Sequence, residues 1–386
     1  MKVSVVGAGN AGCLSALYFA FHGLDKNIEV ELIYDPNIKP AEVGQATLLG
    51  MPGLLWDALE FNWYDNPIYG TFKSGILYEG WGQKNDKIFH DFAPNVMAMH
   101  YCPAEMQKYV IESGRFKVTE SNILEPKDVD ADYVFDCRGT PKDLSDYDEL
   151  INPTNATILG KPNWDMSNQH WSRHVATPNG WTFVVPSSKN SPSHSGAVGY
   201  CYNSNITSRE DAEKNMLEMF DVEITNHVNY KNYMSQNPVI DDRVVLNGNR
   251  LFFLEPMESS SSQTYLAAAK YVFNDGSPNL DGFKDNFNKY VSKCQNFILY
   301  HYAFGSKYDT PFWEYAKRLS LRRTPDDMWD KIIRNCRDFD RDEIHLATTT
   351  LQKEDDVSYA QWGYYNINLW YRAMHFTNPK RFGRTA

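Results

Sequence analysis

The sequence predicts an α/β fold organised on a doubly wound parallel sheet. Three features lead there: a β-branched strand, Lys2 to Val6, that stops at Gly7; an apolar-rich helix, Cys13 to His22, closed by Gly23; and a second strand, Ile28 to Tyr34, that ends at Asp35. A strand, a glycine turn, a helix and a strand in so short a span require a parallel pair joined by a crossover, the opening unit of such a sheet. A later buried strand, Tyr133-Val134-Phe135, ends in Asp136-Cys137-Arg138-Gly139.

From about Trp181 to Tyr265 short β-like runs alternate with turn clusters, among them Thr182 to Val185, Ala197 to Tyr200 and Arg250 to Leu254. From about Asp281 onward the chain reads as mainly helical and is rich in Trp and Tyr. No internal repeat or long low-complexity segment interrupts it, so its modules are expected to interleave around one core. The segment from Asn378 to Ala386 is basic and is expected to be mobile.

With 386 residues, 42% of them hydrophobic, the chain can bury a large core, which excludes a single small binding module. Its 38 Lys and Arg against 49 Asp and Glu give a net charge of −11, which opposes the phosphate-neutralising surface of a nucleic-acid binder. Cys13, Cys102, Cys137, Cys201, Cys294 and Cys336 show neither zinc-ligand spacing nor a disulfide framework, so no metal site is expected. The N-terminus runs straight into an apolar strand without a cationic leader, and no apolar run approaches the roughly 20 residues that span a bilayer. A cytoplasmic protein without membrane partners is the expectation. A homo-oligomer is left open.

Gly7-Ala8-Gly9-Asn10-Ala11-Gly12 fits GxGxxG between a strand and a helix, the context that gives this pattern its meaning. The first glycine allows the tight turn, the second admits a pyrophosphate to the backbone N–H groups, and the third lets helix and strand pack closely. Asp35, roughly 20 residues further on, is placed to accept hydrogen bonds from ribose hydroxyls. The pattern establishes an adenine dinucleotide and does not separate FAD from NAD.

Several further segments, in order along the chain, resemble those of the flavin-dependent tryptophan and phenol halogenases. Val43-Gly44-Gln45-Ala46-Thr47 is similar to the family's VGEAT strap beside the isoalloxazine, with Gln45 in place of Glu, and Thr71-Phe72-Lys73-Ser74-Gly75 followed by Trp81 resembles the segment carrying its catalytic lysine. Trp181-Thr182-Phe183-Val184-Val185-Pro186 resembles WxWxIP, and Pro256-Met257-Glu258-Ser259-Ser260-Ser261 resembles PLESTG. Asp136-Cys137-Arg138-Gly139 resembles a DCTG turn, and Phe297 to Trp313 resembles the helical His-Tyr and Asp-Thr-Pro-Phe-Trp segment.

The resemblance implies a Rossmann-like FAD-binding fold of the flavin monooxygenase and halogenase type with an interleaved, mainly helical substrate module. It places the FAD-binding module over 1–280, discontinuous, with substrate-facing insertions near 48–80 and 160–190, and the substrate-covering module over 281–386. It further implies that reduced FAD, oxygen and a halide ion yield hypohalous acid, which travels to a separate chamber and halogenates a small electron-rich aromatic substrate. Gln45 and Ala46 would join Gly7, Gly9, Asn10, Ala11, Gly12 and Asp35 at the cofactor.

Lys73 would polarise the hypohalous acid or carry the halogen as a haloamine. Glu258 would stabilise the cationic ring intermediate and take its proton, with neighbouring Glu255 the competing assignment that the Pro-Met-Glu-Ser register disfavours. Ser260 and Ser261 would meet the halide, and Trp181, Phe183 and Pro186 would wall the substrate from the flavin. Read without the resemblance, Lys73 is a surface lysine, Glu258 a structural carboxylate and the aromatic pair a packed strand face.

No second nucleotide site is legible, so a separate flavin reductase is expected to supply FADH2. Asn249 to Leu254 runs almost directly into Glu255-Pro256 where related chains carry a glycine-rich segment, and this apparent contraction predicts looser flavin holding. A single-component FAD hydroxylase and a non-catalytic flavoprotein remain the alternatives.

Overall fold

The structure is a computed structural model and describes residues 1–40, 44–47, 50–82, 87–91, 98–188, 196–259, 261–273, 278–303 and 305–323. Val43, Ser260, Cys336 and the basic segment from Asn378 to Ala386 lie outside the described residues.

The first sheet has six strands in the order Val239–Ile240, Val244–Leu246, Tyr133–Asp136, Lys2–Val6, Glu29–Tyr34 and Lys117–Glu120. All neighbours are parallel except the hairpin of the first two. Lys2–Val6 is buried from Val3 onward, as a strand covered on both faces must be. Its neighbours are the strand that follows it through a helix and a strand reached only about a hundred residues later, so the order reverses at its carboxyl end. Such a reversal opens a crevice above the strand ends.

The first helix spans Asn10–His22 and starts three residues before the expected Cys13. Gly12 therefore lies within its first turn, where a Cβ would fall 1.7 Å from the Gly7 carbonyl oxygen; only glycine allows this approach of helix to strand. Gly23 closes the helix, its N–H donating to the Phe19 carbonyl.

The chain then leaves the first sheet and returns to it twice. Gln45–Ala46, Ala98–Tyr101 and Thr71–Lys73 make a small antiparallel sheet. Two residues beyond Lys73 the chain enters a second, seven-stranded sheet, ordered Val222–Asn229, Ala156–Pro162, Ala197–Tyr202, Gly180–Val185, Ser172–Thr177, Gly75–Glu79 and Lys87–Asp91. It is antiparallel apart from the pairing of Ser172–Thr177 with Gly75–Glu79. Helices Ser261–Val272, Leu280–Ala303 and Pro311–Arg323 complete the described chain; a main hydrophobic cluster takes in residues from Val3 to Ala316, with two smaller ones beside it, one under the second sheet and one on the first. The α/β class with a parallel nucleotide-type sheet is as the sequence predicted.

The stretch from Arg250 to Leu254 departs from expectation. Gly248–Arg250 is a 3-10 turn, and only Phe252–Phe253 pairs as strand, with Tyr233 and Met234. Just upstream of this stretch, strand Val244–Leu246 of the parallel sheet delivers Gly248 at φ +64°, so near the first helix that a Cβ would fall 2.6 Å from that of Ala11.

Candidate active site

At the reversal point a cleft of about 240 Å3 is lined by Gly7, Ala8, Gly9, Asp35, Lys39, Gln107 and the turns 121–123 and 137–139, among others. Gly7 sits at φ +103°, with its Cβ direction blocked by the Cys137 carbonyl oxygen at 2.6 Å. At Gly9, by contrast, a Cβ would meet nothing within 4 Å, so the backbone there faces open space. Gly9 also caps the helix without any side-chain hydrogen bond, and no acid lies in the first turn. Exposed N–H groups, a helix N-terminus and room at the second glycine fit a dinucleotide pyrophosphate.

Asp35 lines the same cleft, its Oδ1 accepting from the Asn37 N–H at 2.9 Å and from the Asn37 amide at 2.8 Å. Gln107, which the sequence did not single out, donates to the Ala8 carbonyl at 2.7 Å and steadies the glycine loop.

The strap connects this cleft to a second centre. Asn10 Nδ2 donates to Gln45 Oε1 at 2.6 Å, and Tyr101 OH donates to the same oxygen at 3.2 Å. Two residues further on, the Thr47 carbonyl accepts from Lys73 Nζ at 3.2 Å, while the Thr47 hydroxyl accepts from the Met99 N–H at 3.0 Å.

Strand alternation sends Lys73 inward where its neighbour Phe72 is exposed. Lys73 is 0% exposed and also donates to Ser259 Oγ at 3.0 Å. Burial pulls its ammonium down to about 7, with the charge of Glu258 acting in the opposite direction.

Glu258 sits in the single turn Met257–Ser259, and both it and Ser259 are left-handed, at φ 66° and 53°. Two consecutive non-glycine residues in that region hold the carboxylate against backbone strain, a feature that clusters at functional sites. Glu258 Oε1 contacts His301 Nε2 at 2.8 Å and accepts a hydrogen bond from Tyr78 OH. Tyr78 and His301 stack, with ring centroids 5.6 Å apart. Neither was singled out by the sequence, although His301 lies in the segment similar to the family's His-Tyr helix.

Glu255 is fully buried in a different setting. Tyr302 OH donates to its two oxygens at 2.7 and 2.9 Å, Thr154 donates to Oε2, and the Glu255 N–H donates to Asn232 at 3.0 Å. Burial raises its carboxyl to about 7 against the pull of the Thr154 and Tyr302 hydrogen bonds. Thus the structure brings Glu258, not Glu255, to the turn that meets Lys73.

Trp181 is buried among Trp81, His174 and Phe183, at ring separations of 6.2, 4.9 and 6.1 Å. Trp81 in turn packs on Trp313, Tyr302 and Tyr78, and Pro186 is buried just beyond the same strand. Phe183 lies across from Gly199, whose absent side chain makes the space its ring occupies. Ser261 opens the helix Ser261–Val272 and accepts from the Thr264 hydroxyl at 2.6 Å. Among the described residues no cluster of His, Cys, Asp or Glu could hold a metal, and no helix is long and apolar enough to cross a membrane.

The tryptophan halogenase family model matches residues 2–122 and 103–348, most of the sequence. The chain belongs to the tryptophan halogenase family. Tryptophan 7-halogenase RebH of Lentzea aerocolonigenes is 26% identical over 227 residues, which are 53% of this family member and 41% of RebH. Tryptophan 6-halogenase ThaL of Streptomyces albogriseolus is 24% identical over 270 residues, 64% of this chain and 48% of ThaL. The chain thus spans under half the length of these curated relatives. Among solved structures, MibH, described as a lathipeptide tryptophan 5-halogenase, matches the fold with a TM-score of 0.78 at 18% identity, over 99% of this tryptophan halogenase family member and 88% of MibH.

Proposed function

We propose that this protein is a flavin-dependent halogenase that places a halogen on a small electron-rich aromatic compound. The observation that carries the reading is the meeting of three distant segments at one buried lysine: the strap through Thr47, the Lys73 strand, and the turn that bears Glu258 and Ser259. FAD would be held by Gly7, Gly9, Asn10, Ala11, Gly12 and Asp35, with Gln45 and Ala46 on the strap. When bound and reduced it supplies, with oxygen and halide, the hypohalous acid.

Lys73 donates a hydrogen bond to the oxygen of that acid and makes its halogen more electrophilic. The ring carbon takes the halogen as the oxygen–halogen bond breaks, the departing hydroxide takes a proton from the Lys73 ammonium and leaves as water, and Glu258 accepts the ring proton as aromaticity returns and passes it back to the lysine. Ser260 and Ser261 would contact the halide, while Trp181, Phe183 and Pro186 keep organic substrate from the flavin, so that water and side reactions are excluded from both chambers. The helices after residue 280 form the substrate-covering module, over an FAD-binding module that ends at 280. A separate reductase delivers the reduced flavin.

The test is mass spectrometry of products from indoles and phenols incubated with the protein, FAD, a flavin reductase, NADH and one halide at a time, with catalase present. A halide-dependent mass gain that disappears in Lys73→Ala, while that variant still binds FAD, is the expected result. Gain of oxygen without halide would establish a hydroxylase instead, and full halogenation by Lys73→Ala would remove the lysine from the mechanism.

A further inference from the structure

The turn Asp136-Cys137-Arg138-Gly139 does more than end a strand. Asp136 is 2% exposed and stands level with Val6 on one side and Leu246 on the other, at the centre of three parallel strand ends. Two arginines close on it. Arg138 grips it with two prongs, Nε donating to Oδ1 and Nη2 to Oδ2, each at 2.8 Å, and Arg250 Nε lies 3.2 Å from Oδ2. A planar guanidinium matched to a carboxylate in this way is fixed in direction as well as charge.

The remaining end of Arg138 reaches a different part of the chain. Its Nη1 donates to the carbonyls of Ile123 and Leu124, at 3.1 and 2.6 Å. Those residues follow the strand Lys117–Glu120, which is separated from Tyr133–Asp136 by the two strands that lead to Gly7 and Asp35. Three strand spacings amount to about 14 Å. The 121–124 connection must therefore fold back over the ends of both intervening strands, and Arg138 holds it there. Arg138, Ser121, Asn122 and Ile123 all line the dinucleotide cleft together with the glycine loop.

Nε and both Nη atoms of Arg138 are thus engaged within the protein, so its contribution to a ligand is to position a wall. We propose that Arg138 is a clasp that closes the adenosine end of the cleft and makes the site select FAD over flavins lacking the adenosine half. The inference rests on FAD as the cofactor and not on halogenation. Asp35 faces ribose from one side of that end and the 121–124 wall covers it from the other. The isoalloxazine end, next to Gln45 and Ala46 on the strap, lies beyond the reach of the clasp.

The experiment measures dissociation constants of FAD and FMN by fluorescence for the full chain and for Arg138→Lys and Arg138→Thr. The clasp predicts that both variants lose FAD affinity at least tenfold while FMN affinity stays within twofold, because lysine keeps the charge but cannot grip Asp136 and two carbonyls together. Retention of FAD affinity by Arg138→Lys would assign the effect to charge alone and overturn the clasp. Parallel loss of FAD and FMN would reduce Arg138 to general support of the fold and overturn it too.

Should a variant fail to fold, hydrogen exchange of the wild-type protein decides. FAD, but not FMN, must slow exchange of the 122–124 amides, and equal protection by both ligands contradicts the proposal. If the wild-type chain binds no FAD, the cofactor reading fails with it; if FAD binds and these differences are absent, only the clasp fails.

Discussion

An ammonium that loses its hydration stays charged only where a neighbour repays the loss, and at Lys73 the opposing partner is Glu258. The wild-type pH profile of kcat/KM for halogenation is therefore expected to show an inflection near 7. Glu258→Gln removes the group that raises the lysine, so the inflection in its residual activity moves to lower pH. Loss of the proposed base should also reduce the rate about 10² to 10⁴-fold. An inflection that stays in place or moves upward in Glu258→Gln would separate the lysine from the carboxylate. The left-handed backbone at Glu258 and Ser259 costs on the order of 1 kcal/mol per residue, and the hydrogen bonds donated by Tyr78 to Glu258 and by Lys73 to Ser259 hold that turn in register.

The placement of Phe183 is a property of strands. Phe183 and Gly199 are cross-strand partners in the second sheet, and a Cβ on Gly199 would lie 2.0 Å from the Phe183 ring. Gly199→Ala should then destabilise the protein by about 1–3 kcal/mol through overpacking. Combining it with Phe183→Ala should cost less than the sum of the two single changes, since the clash disappears with the ring. Urea denaturation of the four proteins checks this, and additive losses would show that the glycine is there for another reason. Segments were legible in the sequence where an element's own geometry demands a residue type: the glycines at 7 and 12 and the apolar first helix. The helix start and the glycine at 248 were missed because both depend on what packs against them.

Across the whole molecule, one helix serves both Glu255 and Glu258. Consecutive residues of Leu280–Ala303 divide between them, His301 meeting Glu258 and Tyr302 meeting Glu255. Burial holds Glu255 near 7 in the folded chain, against 4.5 for the unperturbed group. Between those values the folded state binds more protons than the unfolded state, so this residue's contribution to stability is full below about 4.5 and is lost as pH rises through 7. Glu255→Gln carries no such slope and should gain melting temperature relative to wild type on going from pH 5 to pH 8. Calorimetry at the two pH values tests this, and the reverse order would place the raised carboxyl elsewhere.

The sequence by itself determined the nucleotide-binding unit, the family's order of motifs and the identity of Lys73 and Glu258 as the residues to examine, because each of these rests on neighbours within a few positions. Tertiary structure alone decided what holds Glu258: Tyr78 lies 180 residues from it and His301 lies 43 from it. It alone decided that Arg138 ties Asp136 to the 123–124 connection, since its carbonyl partners are 14 and 15 residues away in the chain. Periodicity reports which face a side chain occupies; only the packing of one element on another fixes what that face meets.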